Sequence, residues 1–233
     1  MTAALEVNRL ASGYGTSQVV SDVSFALAKS EVLAIVGRNG MGKTSLLKTV
    51  LGFLPPWRGT IHLAGQDVTR VPPHLKRRRG LVYVPQEQAL FQDLSIRDNL
   101  RLGILSDRDF DAALDRVGQW FPVLTQRLRQ RAGTLSGGEQ KMLIVARALM
   151  ARPDVLLLDE VTEGLQPSLV DRLSNVLTQV RREIGTSMVV IEQHLPFALG
   201  IAGRYLVFKR GEIVDSANVD ADAAARIETH MRI

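Results

Sequence analysis

One segment constrains this chain more than any other: Gly37-Arg38-Asn39-Gly40-Met41-Gly42-Lys43-Thr44, between a short apolar run at 31–36 and a stretch of helical periodicity. The run is nearly continuous in apolar residues, as a central strand covered on both faces requires. After the glycines, Leu46, Leu47, Val50, Leu51 and Leu54 recur on one helical face, and Pro55-Pro56 is expected to end that helix. A glycine-rich turn between a buried strand and an amphipathic helix gathers backbone N–H groups at the positive end of the helix. The segment fits G-x-x-x-x-G-K-[ST] without a mismatch. That pattern predicts a cradle for the phosphates of ATP, with Lys43 as a point charge at the β- and γ-phosphates. The Thr44 hydroxyl is the expected Mg²⁺ ligand, and Arg38, Asn39, Met41 and Ser45 complete the nucleotide-binding loop.

The rest of the chain alternates. Val23, Phe25 and Leu27 have the period of a half-buried strand, and 81–84 reads as another, closed by Pro85-Gln86. From 95 to 131 the pattern is mostly helical, with Leu100, Leu102, Leu105, Phe110, Leu114, Val117 and Phe121 available for packing. Strands at 155–158 and 188–191 flank a helix at 168–182, which implies a mainly parallel sheet with right-handed crossovers. Residues 205–208, Gly211 and 212–214 read as a hairpin, followed by a polar tail of one short helix or a frayed end. The fold class is α/β.

Two further segments carry chemistry. The apolar run at 155–158 delivers Asp159 to the end of a buried strand, where it can hold the metal shell. Glu160 follows and can take a proton from an attacking water. Leu135-Ser136-Gly137-Gly138-Glu139-Gln140 is a helix start whose hydroxyl and backbone N–H groups can meet a phosphate. Together with the glycine loop and the Asp-Glu strand, it closely resembles the signature of ATP-binding-cassette (ABC) ATPases, and the resemblance spans nearly the whole chain.

The resemblance implies a P-loop NTPase of ABC type: a mainly parallel core sheet with an antiparallel β flank at 1–86 and 147–233, and a helical subdomain at 87–146. It implies Mg-ATP hydrolysis in a head-to-tail dimer, where Ser136, Gly137, Gly138 and Glu139 serve a second subunit's nucleotide. Tyr14 matches the aromatic that the family stacks on adenine. Gln86 matches its glutamine at the metal or water, ahead of the permease-facing helices.

Departures narrow the subfamily. Val161 stands where relatives carry proline, Gln166 where they carry aspartate, and Met142 where many carry arginine. Glu163-Gly164-Leu165 before Pro167, the signature helix, and Ile191-Glu192-Gln193 are similar to importers of branched-chain amino acids. Gln166-Pro167-Ser168 and Phe121-Pro122-Val123-Leu124 are similar to the related urea importers. Counting back from Ala202-Gly203-Arg204 puts the family's γ-phosphate histidine column on Gln193 and leaves His194 one place later. Both are candidate catalytic residues, with Gln193 expected to face the nucleotide, since neighbours leaving a strand point to opposite sides.

Composition bounds the remaining options. The 233 residues contain no cysteine, which excludes disulfides and thiol catalysis and suits a reducing cytoplasm. No window reaches the ~18 apolar residues of a spanning helix, so membrane work is expected to go through permease subunits at the cytoplasmic face, with a solute-binding protein further out. A net charge of +5 raises nucleic acid as a ligand. The dense run Lys76-Arg77-Arg78-Arg79 reads instead as a solvated helix end, so no nucleic acid is expected. Two rivals stand beside the importer: an ATPase of a lipid or lipopolysaccharide exporter, and a soluble non-transport ABC protein.

Overall fold

The computed structural model describes residues 2–87 and 90–231. The strands are β1 (Leu5–Tyr14), β2 (Ser17–Leu27), β3 (Val32–Val36), β4 (Pro56–Leu63), β5 (Gln66–Asp67), β6 (Leu81–Val84), β7 (Val155–Asp159), β8 (Ser187–Glu192), β9 (Arg204–Lys209) and β10 (Glu212–Asn218). The helices are α1 (Lys43–Leu51), α2 (Pro73–Arg78), α3 (Ile96–Arg101), α4 (Phe110–Trp120), α5 (Pro122–Thr125), α6 (Gly137–Met150), α7 (Pro167–Ile184), α8 (Leu195–Ile201) and α9 (Ala223–Met231).

The core sheet has the order β10-β9-β3-β8-β7-β6, parallel throughout except for the β9–β10 hairpin. All residues of β3 and β7 are buried, because helices or the second sheet cover both faces. Alternate residues of β7 enter different layers. Leu156 and Leu158 pack with α3, α4, α6 and α7, while Val155 and Leu157 face α1 and the antiparallel sheet β2-β1-β4-β5. Leu46, Leu47, Val50 and Leu51 place α1 between the two sheets, and Thr49 Oγ1 meets Ser12 Oγ at 2.6 Å. The polar tail folds as α9, anchored by buried Ala223 and Ile227.

Several expectations are corrected. Helix α1 stops at Leu51, not at the prolines: Gly52 takes a left-handed φ of 87° and its N–H caps the last turn, so Leu54 lies beyond the helix. Strands β1 and β4 escaped a period-two reading because the ladder slips between Val7 and Leu10, where Arg9 has a φ of 43°. Leu102 and Leu105 do not enter the core; they are exposed beyond α3. Half of the basic run is not solvated. Lys76 is fully buried and donates to Val50 O at 2.6 Å, at the C-terminal end of α1, where a cation meets the negative pole of the helix. Burial lowers its pKa to about 8. Arg77 donates to Leu102 O and Gly103 O at 2.9 and 2.8 Å, and only Arg78 and Arg79 are exposed.

Candidate nucleotide site

Four strand ends build the site. The β3–α1 turn holds the glycine loop, β6 leads into Gln86, β7 ends in Asp159, and β8 leads into Gln193. The loop needs its glycines. Gly42 has a φ of 99°, and a Cβ there would stand 2.8 Å from Val19 O. A Cβ on Gly37 would stand 2.2 Å from Phe208 O. Helix α1 starts directly after Gly42, so its first N–H groups open toward the loop.

Lys43 is buried under this loop. Its Nζ donates to Gly37 O at 2.8 Å and Arg38 O at 2.9 Å, and pairs with Glu160 Oε1 at 3.3 Å. Glu160 is itself buried and has a φ of 48°, a conformation side-chain-bearing residues rarely hold, fixed here by its N–H bond to Ile191 O. Its Oε2 accepts from Gln86 Nε2 at 3.0 Å and Gln193 Nε2 at 3.2 Å. The base-type carboxylate is therefore held from three sides.

Asp159 is fully buried at the end of β7. Its Oδ1 lies 3.4 Å from Thr44 Oγ1, and its Oδ2 accepts from the Tyr83 hydroxyl at 3.0 Å. Burial pushes the Asp159 pKa up, against the pull of those two hydrogen bonds, and burial beside Asp159 pushes the Tyr83 phenol up as well. Thr44 and Asp159 form an all-oxygen donor pair, the chemistry a hard cation such as Mg²⁺ prefers. Among the described residues no group of three or more His, Cys, Asp or Glu could hold an ion alone. A metal at Thr44 and Asp159 would need further oxygens from a phosphate ligand.

The ABC transporter family model matches residues 20–163. The chain belongs to that family. As an ABC ATPase it is an ATP hydrolase, and its relatives cover nearly its full length. It is 37% identical over 212 residues to the high-affinity branched-chain amino acid transport ATP-binding protein BraG of Pseudomonas aeruginosa, over 90% of this chain and 91% of that protein. It is 33% identical over 216 residues to the probable branched-chain amino acid transport ATP-binding protein LivF of Archaeoglobus fulgidus, over 90% and 89%. The lipopolysaccharide export system ATP-binding protein LptB of Escherichia coli is 32% identical over 216 residues, over 91% and 89%. A solved nucleotide-free ATP-binding cassette from an ABC transporter superposes with a TM-score of 0.88 at 22% identity, over 98% of this chain and 96% of that one. The ADP conformation of a cassette has the same score and coverage. These two likenesses are of fold.

The remaining sequence candidates of this ABC ATPase fall in distinct places. Tyr14 is half-exposed beside the loop, with its hydroxyl 3.4 Å from Ser45 Oγ. Gln193 Nε2 also reaches Asn39 Oδ1 at 2.6 Å, whereas His194 stands exposed at the start of α8 with no side-chain cap bond. Ser136 caps α6 and shares a capping box with Glu139, whose carboxylate also meets Arg127 at 2.8 Å. Those hydrogen bonds from Ser136 hold the Glu139 pKa below its ordinary value. The cavity lined by Lys43, Thr44, Ser45, Gln86 and Glu160 includes no residue of 136–139 in its walls.

Sequence reasoning missed four participants. Tyr83 is one. Lys141, on α6, donates to Glu160 O at 3.2 Å and Gln86 O at 3.5 Å. Glu163 accepts from Gln86 at 3.0 Å. Glu192 is buried, takes the Thr162 N–H and hydroxyl at 2.9 Å each, and has its pKa raised by burial. Lys141 left a sequence signal as a cation one turn into the signature helix, and Glu163 and Glu192 stand in the subfamily segments, which assign them no partner; Tyr83 left none.

Proposed function

We propose that this chain is the motor subunit of an ABC importer for branched-chain amino acids or a related small solute such as urea. Two cassettes would close head to tail on two ATP molecules. The observation that carries the reading is the Glu160 carboxylate, held beside Lys43 at the rim of the phosphate-type loop. Glu160 takes the proton of a water as that water's oxygen bonds to the γ-phosphorus and the bond to the bridging oxygen breaks, leaving ADP and phosphate. Lys43, freed from Glu160, moves its charge to the phosphates. Gln86 and Gln193 orient the carboxylate. Thr44 and Asp159 would hold Mg²⁺, with Gln86 as a further candidate contact, and the ion would supply positive charge to neutralise the phosphates. The Ser136 loop lies outside the walls of its own loop's cavity, which supports its service to a partner subunit.

The importer reading draws on the BraG and LivF likeness, and a groove supports the docking of permeases. Residues 87–146 form the helical subdomain in our division, although α6 runs on to Met150; we place the permease contact near residues 87–105, of which Gln88 and Ala89 lie outside the described residues. A cavity of about 620 Å³ opens beside this region, lined by Phe53, Phe91, Leu102, Ile144 and Arg147. Phe53, Phe91 and Leu102 are exposed there. We assign it to a short helix of a permease subunit on the cytoplasmic membrane face, with a solute-binding protein delivering the solute. No helix of the described residues is long and apolar enough to cross a membrane. Export of lipopolysaccharide is the second reading, favoured by the LptB likeness.

The test is reconstitution with the permease subunits in proteoliposomes. ATP-driven uptake of leucine or urea supports import. Outward movement of lipopolysaccharide, or ATP hydrolysis indifferent to the permeases, overturns it.

A further inference from the structure

Tyr83 belongs to two cavities at once. On the outer side it lines the apolar groove with Phe53 and Leu102. On the inner side it lines a second cavity, of about 510 Å³, whose walls include Tyr14, Thr44, Gln86 and Asp159. The residue sits on β6, the edge strand of the core sheet, in register with Leu157 of β7. That pairing lets its hydroxyl reach past the end of β7 to Asp159 Oδ2 at 3.0 Å. Asp159 Oδ1 is left turned toward Thr44. A buried carboxylate with one donor on each oxygen has little freedom to rotate, and Tyr83 supplies one of the two constraints.

We propose that Tyr83 is a positioning residue: it fixes the Asp159 carboxylate for the metal, and as a wall residue of the outer groove it reports occupancy of that groove to the same carboxylate. The inference rests on the reading of Thr44 and Asp159 as the metal pair and of the groove as the permease dock. Two features support a mechanical link. Tyr83 lies two residues from Pro85 and three from Gln86, and Gln86 donates to Glu160. A groove occupant that presses on Tyr83 therefore acts on the Asp159 carboxylate through one hydrogen bond, and on Glu160 through the chain that follows.

Tyr83→Phe tests this, because it keeps the ring and the strand and removes only the hydroxyl. Manganese(II) serves as the probe. Its binding to the full chain with a non-hydrolysable ATP analogue is followed by electron paramagnetic resonance, and metal-free nucleotide binding is measured in chelator as the control for folding. We expect the half-saturating Mn²⁺ concentration to rise about tenfold, the scale of one hydrogen bond to a charged group. Nucleotide affinity without metal is expected to stay as in wild type, since the Tyr83 hydroxyl donates to Asp159 and not to the glycine loop. With permeases present, the fold-stimulation of hydrolysis is expected to fall in the variant. Unchanged Mn²⁺ binding overturns the positioning role, and full permease stimulation overturns the link to the groove. If wild type itself binds nucleotide with no dependence on metal, the metal-pair reading fails, a result separable from failure of the Tyr83 proposal.

Discussion

Gln193 Nε2 lies 3.2 Å from Glu160 Oε2 and 2.6 Å from Asn39 Oδ1, so one side-chain amide ties the base-type carboxylate to the glycine loop. An amide does this without charge and without titrating near neutral pH. Gln193→Ala is expected to slow ATP turnover about tenfold, the low end of what misplacing a base costs. His194→Ala is expected to cost less than Gln193→Ala, because its ring has no bond in the site. Gln193→His should add an inflection to the pH–rate profile near an ordinary imidazole pKa, about 6.5. Turnover with permeases present, measured from pH 5.5 to 8.5, checks all three. A larger loss in the His194 variant would put the register one residue off.

Lys141 joins the signature helix to the Glu160 backbone: its ammonium meets the carbonyls of Glu160 and Gln86. Lys141→Met keeps the length and apolar stem but loses both bonds. It is expected to reduce turnover several-fold while ATP binding, followed by a fluorescent analogue, stays near wild type. Loss of ATP binding instead would place Lys141 in the fold rather than in the alignment of the base.

Lys76 sets a pH dependence of stability. Burial lowers its pKa from 10.5 to about 8, so between those values the unfolded chain binds more protons at this site than the folded one. Its contribution therefore makes stability rise as pH climbs from about 8 to 10.5. Below about 8 the charge is held in both states and the burial cost is present in full. Lys76→Met is expected to flatten the pH slope of the urea midpoint across that window. An identical slope in wild type and variant would show that the ammonium is solvated.

How much of this was legible follows from what is contiguous. The glycine loop, the Asp159-Glu160 pair and the Ser136 cap each lie in one short segment whose neighbours announce a strand or a helix. Tyr83, Glu163 and Glu192 gain meaning only when β6, β7 and β8 align their ends, which no local pattern states. Strand β1 was hidden by the slip at Arg9, which breaks the alternation after Val7. The basic run misled because a lysine that caps a neighbouring helix is spelled like one in solvent. Leu102 and Leu105 misled in the opposite sense: helical spacing suggests an apolar face, but both lie exposed beyond α3, with Leu102 in the wall of an open groove rather than in the core.

The central claim is that Glu160 is the base of an ATP hydrolase, and one variant tests it most directly. Glu160→Gln retains the size of the side chain and removes its capacity to accept a proton. The variant is expected to bind Mg-ATP with near wild-type affinity, to hydrolyse it at least ~100-fold more slowly, and to accumulate as an ATP-bound dimer by light scattering. Near-normal hydrolysis by Glu160→Gln, with the dimer absent, would contradict it.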